Sequence, residues 1–272
     1  MELENQLIAN KYIIQEKIGN GSFGTIYRGI NQRTNEKVAI KTELIEQNTK
    51  LLKNESVIYQ YLKDVKSIPN IKWFGKDSTH YYMVIPLLGE SLEQYKINKG
   101  NLISLDSIIQ IGKQIVDLLE SIHSRGLIHR DIKPDNFLFG LESKLYLIDF
   151  GFCKSYLKDD NVHISNKKTS RLIGSVNFAS VHSHEHWELS RRDDLISLGY
   201  ILYYLYYGDL EWSKINVREN YEENNKKVFL WKKNIVEKKK LINFLKNFLE
   251  YTYQLTFEEE PNYKFLKDIL VK

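Results

Sequence analysis

The periodicity of the sequence changes near residue 92, from short strand-like runs to longer helical stretches. In the first part, runs rich in β-branched and aromatic residues alternate with turns that contain Gly or Asn, and this pattern predicts an antiparallel meander. The predicted strands cover residues 12–18, 25–30, 37–41, 71–74 and 81–85, and residues 51–62 carry apolar side chains at helical spacing. We therefore expect a small N-terminal lobe with a five-stranded antiparallel sheet and one main helix.

The remaining sequence predicts a larger and mostly helical lobe. Ser104 is suited to cap a helix with a continuous apolar face, and Gly126 is a stop signal after that helix. Residues 195–207 are apolar on all sides, as expected of a helix at the centre of a lobe, and helical patterns recur at 235–249 and after Pro261. The predicted fold class is therefore α+β, with one domain divided into two lobes.

Composition restricts the kind of protein without identifying it. The 272 residues are 42% hydrophobic and 27% charged, with a net charge of +4, which is typical of a soluble globular protein and does not indicate a nucleic-acid or membrane partner. A single cysteine, Cys153, excludes an intrachain disulfide and a cysteine-based zinc site. The N-terminus lacks a basic segment followed by an apolar core, and the longest apolar stretch is too short to span a bilayer. We therefore expect an intracellular protein of the cytoplasm or nucleus.

Gly19, Gly21 and Gly24 match the pattern G-x-G-x-x-G, which occurs in two different phosphate-binding architectures. A dinucleotide-binding fold would begin a helix at the third glycine, whereas residues 25–30 have the composition of a strand. The context favours a glycine-rich hairpin, in which backbone N–H groups approach the phosphates of a nucleotide. A short motif of this kind is also compatible with an ordinary turn.

Two charged residues follow in positions suited to phosphate binding. The segment Val-Ala-Ile-Lys at residues 38–41 puts Lys41 on the third predicted strand, and Glu55 lies on the predicted helix after it. A lysine that binds phosphates must be positioned and kept charged, and a carboxylate on a neighbouring helix does both. For either residue alone, a solvated surface position would be the favoured interpretation.

The segment IHRDIKPDN at residues 128–136, followed by Asp-Phe-Gly at residues 149–151, carries the most specific chemistry. Asp131 is suited to accept the proton of an attacking hydroxyl, and Lys133 to neutralise a transferred phosphoryl group. Asn136 and Asp149 offer oxygen ligands of the kind that Mg²⁺ prefers.

In this order, the motifs resemble the catalytic domain of eukaryotic-type protein kinases, and the sequence is most similar to the casein kinase 1 family. Ala179-Ser180-Val181 stands where most kinases have Ala-Pro-Glu, which resembles a variant of that family. The segments that carry the closer resemblance are PLLGESL (86–92), IHRDIKPDNFL (128–138), LIDFG (147–151), GSVNFAS (174–180) and SRRDDLISLGY (190–200).

The resemblance implies the bilobal protein-kinase fold in a single catalytic domain over residues 1–272. The N-lobe is expected at about 1–85, the hinge at about 86–90 and the C-lobe at about 91–272. Because the similarity runs from about Tyr12 to Leu270, we expect a compact member of the family with little chain for a regulatory tail, acting as a monomer.

The resemblance also implies the cofactors ATP and Mg²⁺ and protein substrates with Ser or Thr hydroxyls as acceptors. Lys133, two residues after Asp131, is the feature that favours Ser/Thr over Tyr specificity. Asn136 and Asp149 are expected to hold the metal. The expected catalytic residues are Asp131, Lys133, Lys41 and Glu55.

For the nucleotide, the resemblance makes Ile85 the gatekeeper behind the adenine, with the Pro86 carbonyl and the Leu88 backbone on the hinge edge. Asp194 resembles a buried aspartate that braces the catalytic loop. The residues expected to contact ATP are Ile18, Gly19, Asn20, Gly21, Ser22, Phe23, Gly24, Ile26, Ala39, Lys41, Ile85, Pro86, Leu88 and Leu138.

Substrate recognition departs from the family pattern. Asn177 and Ser170 occupy positions where relatives typically have Arg and Lys, which puts a preference for already phosphorylated substrates in doubt. Lys167, Lys168 and Arg171 lie nearby and either compensate or form a solvated basic loop.

The sequence leaves two alternative functional classes, a pseudokinase and a kinase for small molecules. A pseudokinase would use the same fold as an ATP-binding scaffold, although such proteins typically lose one of the essential Lys, Asp or Asn groups. A kinase for small molecules is less compatible with residues 174–197, which build a peptide-binding platform in the family. The control of activity is also open, because Arg130 could pair with a phosphate on Ser165, Thr169 or Ser170, whereas the family generally works without phosphorylation of this segment.

Two polar clusters have simpler interpretations. His182, His184 and His186 alternate as in some metal sites, but three loop histidines without a fourth ligand favour an ordinary loop. Lys232 and Lys233, and the run at residues 238–240, are expected to form the solvated faces of C-terminal helices.

Overall fold

The computed structural model describes residues 3–21, 24–47, 51–100, 103–217 and 219–271. The chain forms two compact units. The first contains Met1–Gly89 and Leu138–Gly151, and the second contains Glu90–Phe137 and Phe152–Lys272. The fold is that of a domain with an N-terminal antiparallel sheet followed by a mostly helical C-terminal part, as the sequence predicts.

An antiparallel sheet and one α-helix dominate the first unit. In the described residues the sheet has six strands in the order β1-β2-β3-β4-β6-β5. The helix α1 covers Leu51–Tyr61. The strands are β1 (Leu7–Ile8), β2 (Tyr12–Gly21), β3 (Gly24–Asn31), β4 (Lys37–Leu44), β5 (Trp73–Lys76) and β6 (His80–Pro86).

The short strand β1 adds an edge that the sequence pattern does not predict. Leu7 and Ile8 pair antiparallel with the start of β2. Ala9 and Asn10 form the turn with positive φ angles of 53° and 48°. Such a turn matches the twist of a hairpin, but alanine rarely adopts this conformation, so the sequence carries little signal for it.

The two faces of the sheet have different surroundings, because successive side chains of a strand alternate between faces. Val38 and Ile40 of β4 and Val84 of β6 are fully buried in one core cluster. On the opposite face of the same strands, Ala39 and Ile85 are only partly buried.

The second unit contains seven of the eight α-helices found in the described residues. The helix α3 begins after Ser104, whose hydroxyl accepts a hydrogen bond from the backbone N–H of Ser107, so the predicted cap is confirmed. The apolar helix α5 is buried along most of its length, as predicted, and packs against α3 and α7. The helices are α2 (Leu92–Lys99), α3 (Leu105–His123), α4 (Val181–His184), α5 (Arg191–Tyr207), α6 (Tyr221–Lys233), α7 (Asn243–Gln254) and α8 (Tyr263–Ile269).

Short elements connect the helices and carry the loops of interest. Turns of 3₁₀ helix occur at Ile45–Gln47, Pro134–Asn136, Leu141–Ser143, Phe150–Phe152 and Ile235–Glu237. Four short strands form two pairs, β7 with β10 and β8 with β9. Their ranges are β7 (Leu127–Ile128), β8 (Phe137–Phe139), β9 (Leu145–Leu147) and β10 (Lys154–Ser155). Within the described ranges, none of the helices combines the length and apolar composition that a membrane crossing requires.

The helical pattern predicted over residues 235–249 is wrong in its first part. Only a 3₁₀ turn forms at Ile235–Glu237, and α7 begins at Asn243. The three lysines at 238–240 add no apolar side chain to a helical stripe. Ile235 and Leu241, on either side of this lysine run, are both buried.

The prediction that Lys232 lies on a solvated face is also wrong. Lys232 is fully buried, whereas the adjacent Lys233 is exposed as expected. Both lie on α6, and consecutive helical residues point in directions about 100° apart, so one turn carries a buried and an exposed lysine.

We predict that Gly24→Ala destabilises the protein and Gly19→Ala does not, although both glycines belong to the β2–β3 hairpin. A Cβ atom at Gly24 would lie 1.7 Å from the carbonyl oxygen of Thr42, whereas a Cβ at Gly19 would meet no atom within 4 Å. The expected loss for Gly24→Ala is about 1–3 kcal/mol in the free energy of unfolding. Thermal unfolding of the two variants checks this, and equal melting temperatures would contradict the packing around Gly24.

Candidate active-site residues

Lys41 is the centre of a buried charge cluster in the first unit. Its Nζ lies 2.8 Å from Oε2 of Glu55 and 2.8 Å from Oδ1 of Asp149. Burial alone would lower the pKa of Lys41, but the charges of Glu55 and Asp149 outweigh this effect and raise the pKa above its usual value. Lys41 is therefore held as an ammonium ion in a position that excludes most water.

Neighbouring residues of β4 and α1 explain why Glu55 reaches Lys41. Glu43 lies two residues after Lys41 on β4, so both side chains are on the same face of the sheet. The Glu43 carboxylate accepts hydrogen bonds from the backbone N–H groups of Leu51 (3.2 Å) and Leu52 (2.8 Å) at the start of α1. A carboxylate in this position accepts hydrogen bonds from backbone amides that have no acceptor within the helix. Its negative charge also interacts favourably with the positive N-terminal end of the helix dipole. Glu43 thus ties α1 to the strand that carries Lys41.

The turn that carries Asp149 is fixed by the same helix. Tyr59 of α1 accepts a hydrogen bond from the backbone N–H of Asp149 (3.2 Å), and its ring makes an edge contact with Phe150 at 4.9 Å between centroids. Asp149 has a φ of 64°, a conformation that is uncommon outside glycine and often found at functional sites. The sequence motifs do not point to Tyr59 or Glu43. The even spacing between Lys41 and Glu43 is a signal for the latter.

The residues predicted to contact ATP are brought together on neighbouring strands of the first unit. Gly19 pairs with Ile26, and Ile26 pairs with Lys41 on β4. Ala39 pairs with Ile85 on β6, on the partly buried face described above. These residues therefore line one face of the sheet together with the Lys41 ammonium group.

The other predicted ATP contacts lie at the ends of these strands. Ile18 is the extra residue at a bulge in β2, and Gly21 pairs with Gly24 at the hairpin. The backbone N–H of Gly89 donates to the carbonyl of Phe139 (2.8 Å), which brings the segments that contain Leu88 and Leu138 side by side. Asn20 pairs with Thr25 and Pro86 with Val38. Ser22 and Phe23 lie outside the described residues.

Asp131 is the centre of a hydrogen-bond network in the second unit. Oδ1 accepts from the N–H (2.9 Å) and the hydroxyl (2.8 Å) of Ser175, and Oδ2 accepts from Nζ of Lys133 (2.8 Å). Nδ2 of Asn136 donates to the Asp131 carbonyl at 2.8 Å. The Asp131 side chain is thus buried, and the donors around its two oxygens hold it in one orientation. Ser175 is 44 residues away in sequence, and nothing local in the sequence indicates this contact.

The loop before Asp131 depends on Asp194 at the start of α5. The Asp194 carboxylate accepts from the backbone N–H groups of His129 and Arg130, each at 2.8 Å, and lies 3.0 Å from Nε2 of His123. Arg130 has a φ of 68°, so these hydrogen bonds stabilise a backbone conformation that is otherwise unfavourable. The geometry agrees with the bracing role expected for Asp194.

Arg130 and Lys154 share the buried carboxylate of Glu188. Nζ of Lys154 lies 2.8 Å from Oε2 of Glu188, and a guanidinium nitrogen of Arg130 lies 3.7 Å from Oε1. Nε of Arg130 also donates to the carbonyl of Phe152 at 2.7 Å. A carboxylate of the protein itself therefore faces Arg130, the residue considered above as a partner for a phosphate.

Two of the alternating histidines have different partners within the protein. Nδ1 of His182 lies 2.8 Å from Asp193, whereas Nδ1 of His184 lies 2.6 Å from Oδ1 of Asn225. In the part of the chain that the structure describes, no group of three or more His, Cys, Asp or Glu side chains is arranged to hold a metal ion. Burial raises the pKa of Cys153 to about 12, which agrees with a packed rather than a reactive thiol.

Asn136 and Asp149 have donor atoms that fit a hard cation. Because Nδ2 of Asn136 is committed to the Asp131 backbone, Oδ1 is the side-chain atom left to coordinate a metal. Asp149 supplies carboxylate oxygens, one of which accepts from Lys41. Oxygen ligands of these two kinds suit Mg²⁺.

A family model for the protein kinase domain matches residues 12–272. The match covers nearly the whole chain, so the chain belongs to the protein kinase family. Its sheet and helical part accordingly form the bilobal kinase fold, and a protein kinase domain indicates phosphotransferase activity with ATP and Mg²⁺ as the usual cofactors.

We predict that Glu188→Gln lowers the free energy of unfolding by about 1–3 kcal/mol, because the neutral amide replaces a carboxylate that accepts a hydrogen bond from Lys154 and forms an ion pair with Arg130. The exposed Glu185 provides a matched control on the same segment, and Glu185→Gln is expected to change stability by less than about 0.5 kcal/mol. Denaturant unfolding measures both. A Glu188→Gln variant as stable as the control would show that the three charges do not act together.

Proposed function

We propose that this protein is an active serine/threonine protein kinase of the casein kinase 1 type. It transfers the γ-phosphoryl group of Mg²⁺-ATP to Ser or Thr hydroxyls of protein substrates. The main support for the proposal is the ion pairing of Lys41 with Glu55 and Asp149. A protein kinase is catalytically competent only when its strand lysine forms an ion pair with the helix glutamate.

The first unit supplies the groups for the nucleotide. Lys41 orients the phosphates of ATP, and Glu55 holds Lys41 in place and charged. Ala39 and Ile85 offer an apolar surface for the adenine, and the glycine-rich hairpin brings backbone N–H groups to the phosphates. The contribution of these residues is positioning, which lowers the barrier by fixing reactants in advance.

The second unit supplies the groups for the acceptor. Asp131 orients the attacking hydroxyl and accepts its proton, and the hydrogen bonds from Ser175 and Lys133 fix the direction of the carboxylate. Lys133 in addition neutralises negative charge on the transferred phosphoryl group.

The metal is assigned to two residues. Asn136 and Asp149 would hold Mg²⁺, which, when bound, neutralises charge on the β- and γ-phosphates. The hydrogen bond from Asn136 to the Asp131 backbone supports this assignment, since it keeps the amide oxygen in a fixed orientation beside the catalytic loop.

Serine/threonine specificity is supported by Lys133. Its Nζ donates both to Asp131 (2.8 Å) and to the hydroxyl of Ser175 (3.2 Å), so the lysine is integrated in the network around the acceptor position. The resemblance to the casein kinase 1 family implies the same specificity.

Activity without phosphorylation of residues 165–170 is supported by Glu188. This carboxylate pairs with Lys154 at 2.8 Å and lies 3.7 Å from Arg130, so an anion of the protein already occupies the position in which an added phosphate would pair with Arg130. We infer that the kinase is active as synthesised.

Recognition of unphosphorylated segments is supported by the basic loop. Lys168 donates to the carbonyl of Glu185 (2.7 Å), and its ammonium group lies 3.9 Å from the ring centroid of Trp187. Lys168 is therefore engaged within the protein, and Asn177 and Ser170 are neutral. We propose that plain or acidic substrates are preferred to phosphorylated ones.

We predict that Asp131→Asn lowers the rate of phosphoryl transfer to a protein substrate such as casein by about 10²–10⁴-fold, because the positioned base is lost. ATP binding, measured by the shift in melting temperature with Mg²⁺-ATP, is expected to persist. Asp135→Asn, at an exposed position in the same loop, is the matched control and should retain full activity.

If Asp131→Asn transfers phosphate at the wild-type rate, the assignment of Asp131 is wrong. If the wild-type protein binds Mg²⁺-ATP but phosphorylates no protein substrate, the scaffold function of a pseudokinase replaces the proposal.

A further inference from the structure

The ammonium group of Lys232 lies in a buried site in the second unit, where three acceptors surround it. Its Nζ lies 2.7 Å from the carbonyl oxygen of Val176, 2.7 Å from that of Ala179 and 3.0 Å from Nε2 of His184. An ammonium group has three donors, so the three acceptors satisfy it completely. The side chain reaches this position from α6 and is fully buried.

The positive charge of Lys232 is stabilised by carbonyl dipoles and aromatic rings rather than by a carboxylate. Within the described ranges, no carboxylate lies at ion-pair distance from its Nζ. Complete burial opposes this charge and lowers the pKa of Lys232 well below its usual value, whereas the two carbonyl acceptors at 2.7 Å favour the ammonium form. The rings of Tyr200 and Trp212 lie 4.8 Å and 5.3 Å from Nζ and favour the cation by their π faces.

Asn225, also on α6, sets the tautomer of His184, whose Nε2 is the third acceptor. Oδ1 of Asn225 lies 2.6 Å from Nδ1 of His184, and Nδ2 donates to the His184 carbonyl at 3.1 Å. Because Oδ1 can only accept, the His184 proton must be on Nδ1, which leaves the lone pair of Nε2 for Lys232. Burial and the Lys232 charge lower the pKa of His184 to about 3, so the ring is neutral at neutral pH.

The carbonyls that Lys232 binds belong to the segment that contacts Asp131. Val176 follows Ser175, whose N–H and hydroxyl donate to the Asp131 carboxylate. Nε1 of Trp212 donates to the carbonyl of Asn177 at 2.8 Å, so donors from outside the segment bind three of its carbonyls. The segment at residues 175–179 therefore has its backbone set by buried side chains behind it.

We propose that Lys232 is a positioning residue for the peptide acceptor. By holding the carbonyls of Val176 and Ala179, it fixes the backbone of residues 175–179 in the conformation that binds the substrate peptide next to Asp131. This inference rests on the proposed function, because it assigns to residues 175–179 the peptide-binding role expected of a protein kinase. Lys232 contacts neither ATP nor the reacting atoms, so its effect is expected on peptide binding rather than on nucleotide chemistry.

The test compares Lys232→Met with Lys233→Met, the adjacent exposed lysine of the same helix. The probe is an unphosphorylated acidic peptide with one serine. Steady-state kinetics with varied concentrations of this peptide and of ATP, together with ATP hydrolysis in the absence of peptide, separate the effects on the two substrates. Lys232→Met should raise the peptide KM about 10–100-fold, the effect of losing hydrogen bonds from a charged donor. The ATP KM and the rate of ATP hydrolysis should stay within about twofold of wild type, since uniform loss of peptide binding does not alter the nucleotide step. Lys233→Met should match wild type throughout.

A second variant covers the case in which Lys232→Met does not fold, as judged by the absence of a cooperative melting transition. Asn225→Ala keeps Lys232 but removes the group that fixes the His184 tautomer, and it should raise the peptide KM several-fold with an unchanged ATP KM. An unchanged peptide KM in a folded Lys232→Met variant would overturn the positioning role of Lys232. If Lys232→Met does not fold, an unchanged peptide KM in Asn225→Ala would overturn that role. Both results would leave the proposed function in place. Absence of peptide phosphorylation by the wild-type protein would instead overturn the proposed function, and the role of Lys232 with it.

Discussion

A buried ammonium group needs acceptors, and the arrangement of the first unit follows from this need at Lys41. Removing an ion from water costs several kcal/mol even after relaxation, so an isolated lysine at this point of the sheet would be unstable or neutral. Glu55 and Asp149 supply the acceptors, one from α1 and one from the turn after β9. Glu43 completes the arrangement, because it ties the start of α1 to the same strand. One strand thus determines the position of the cation and, through the helix, of its counter-ion.

The second unit meets the same requirement with other groups. The Asp131 carboxylate is surrounded by donors from Ser175 and Lys133, and the loop before it is held by Asp194. Lys232 satisfies its charge with backbone carbonyls and a neutral histidine instead of a carboxylate. The proposed catalytic loop and the proposed peptide-binding segment are thus positioned by buried polar networks. Such networks have few alternative arrangements, because each unsatisfied polar group in them costs free energy.

The sequence predicts what depends on local pattern and misses what depends on distant contacts. The alternation of Val38 and Ile40 and the cap at Ser104 are local, and the strand and the helix they predict are confirmed. The order of the kinase motifs identifies Lys41, Glu55, Asp131 and Asp149, whose close contacts the structure contains within each unit. The contacts of Ser175, Glu188 and Lys232 join residues far apart in the chain, and no periodicity encodes them. For Lys232 a run of lysines even favours the opposite interpretation, because a charged residue is rarely buried without a counter-ion.

Phosphoamino-acid analysis after incubation of the wild-type protein with γ-labelled ATP, Mg²⁺ and casein tests the proposed kinase activity most directly. Label is expected on phosphoserine and phosphothreonine, with transfer that requires the metal. Label confined to phosphotyrosine would contradict the serine/threonine assignment. Mg²⁺-dependent binding of ATP without any transfer to protein would contradict the claim that the Lys41, Asp131 and Asp149 groups form an active phosphotransferase.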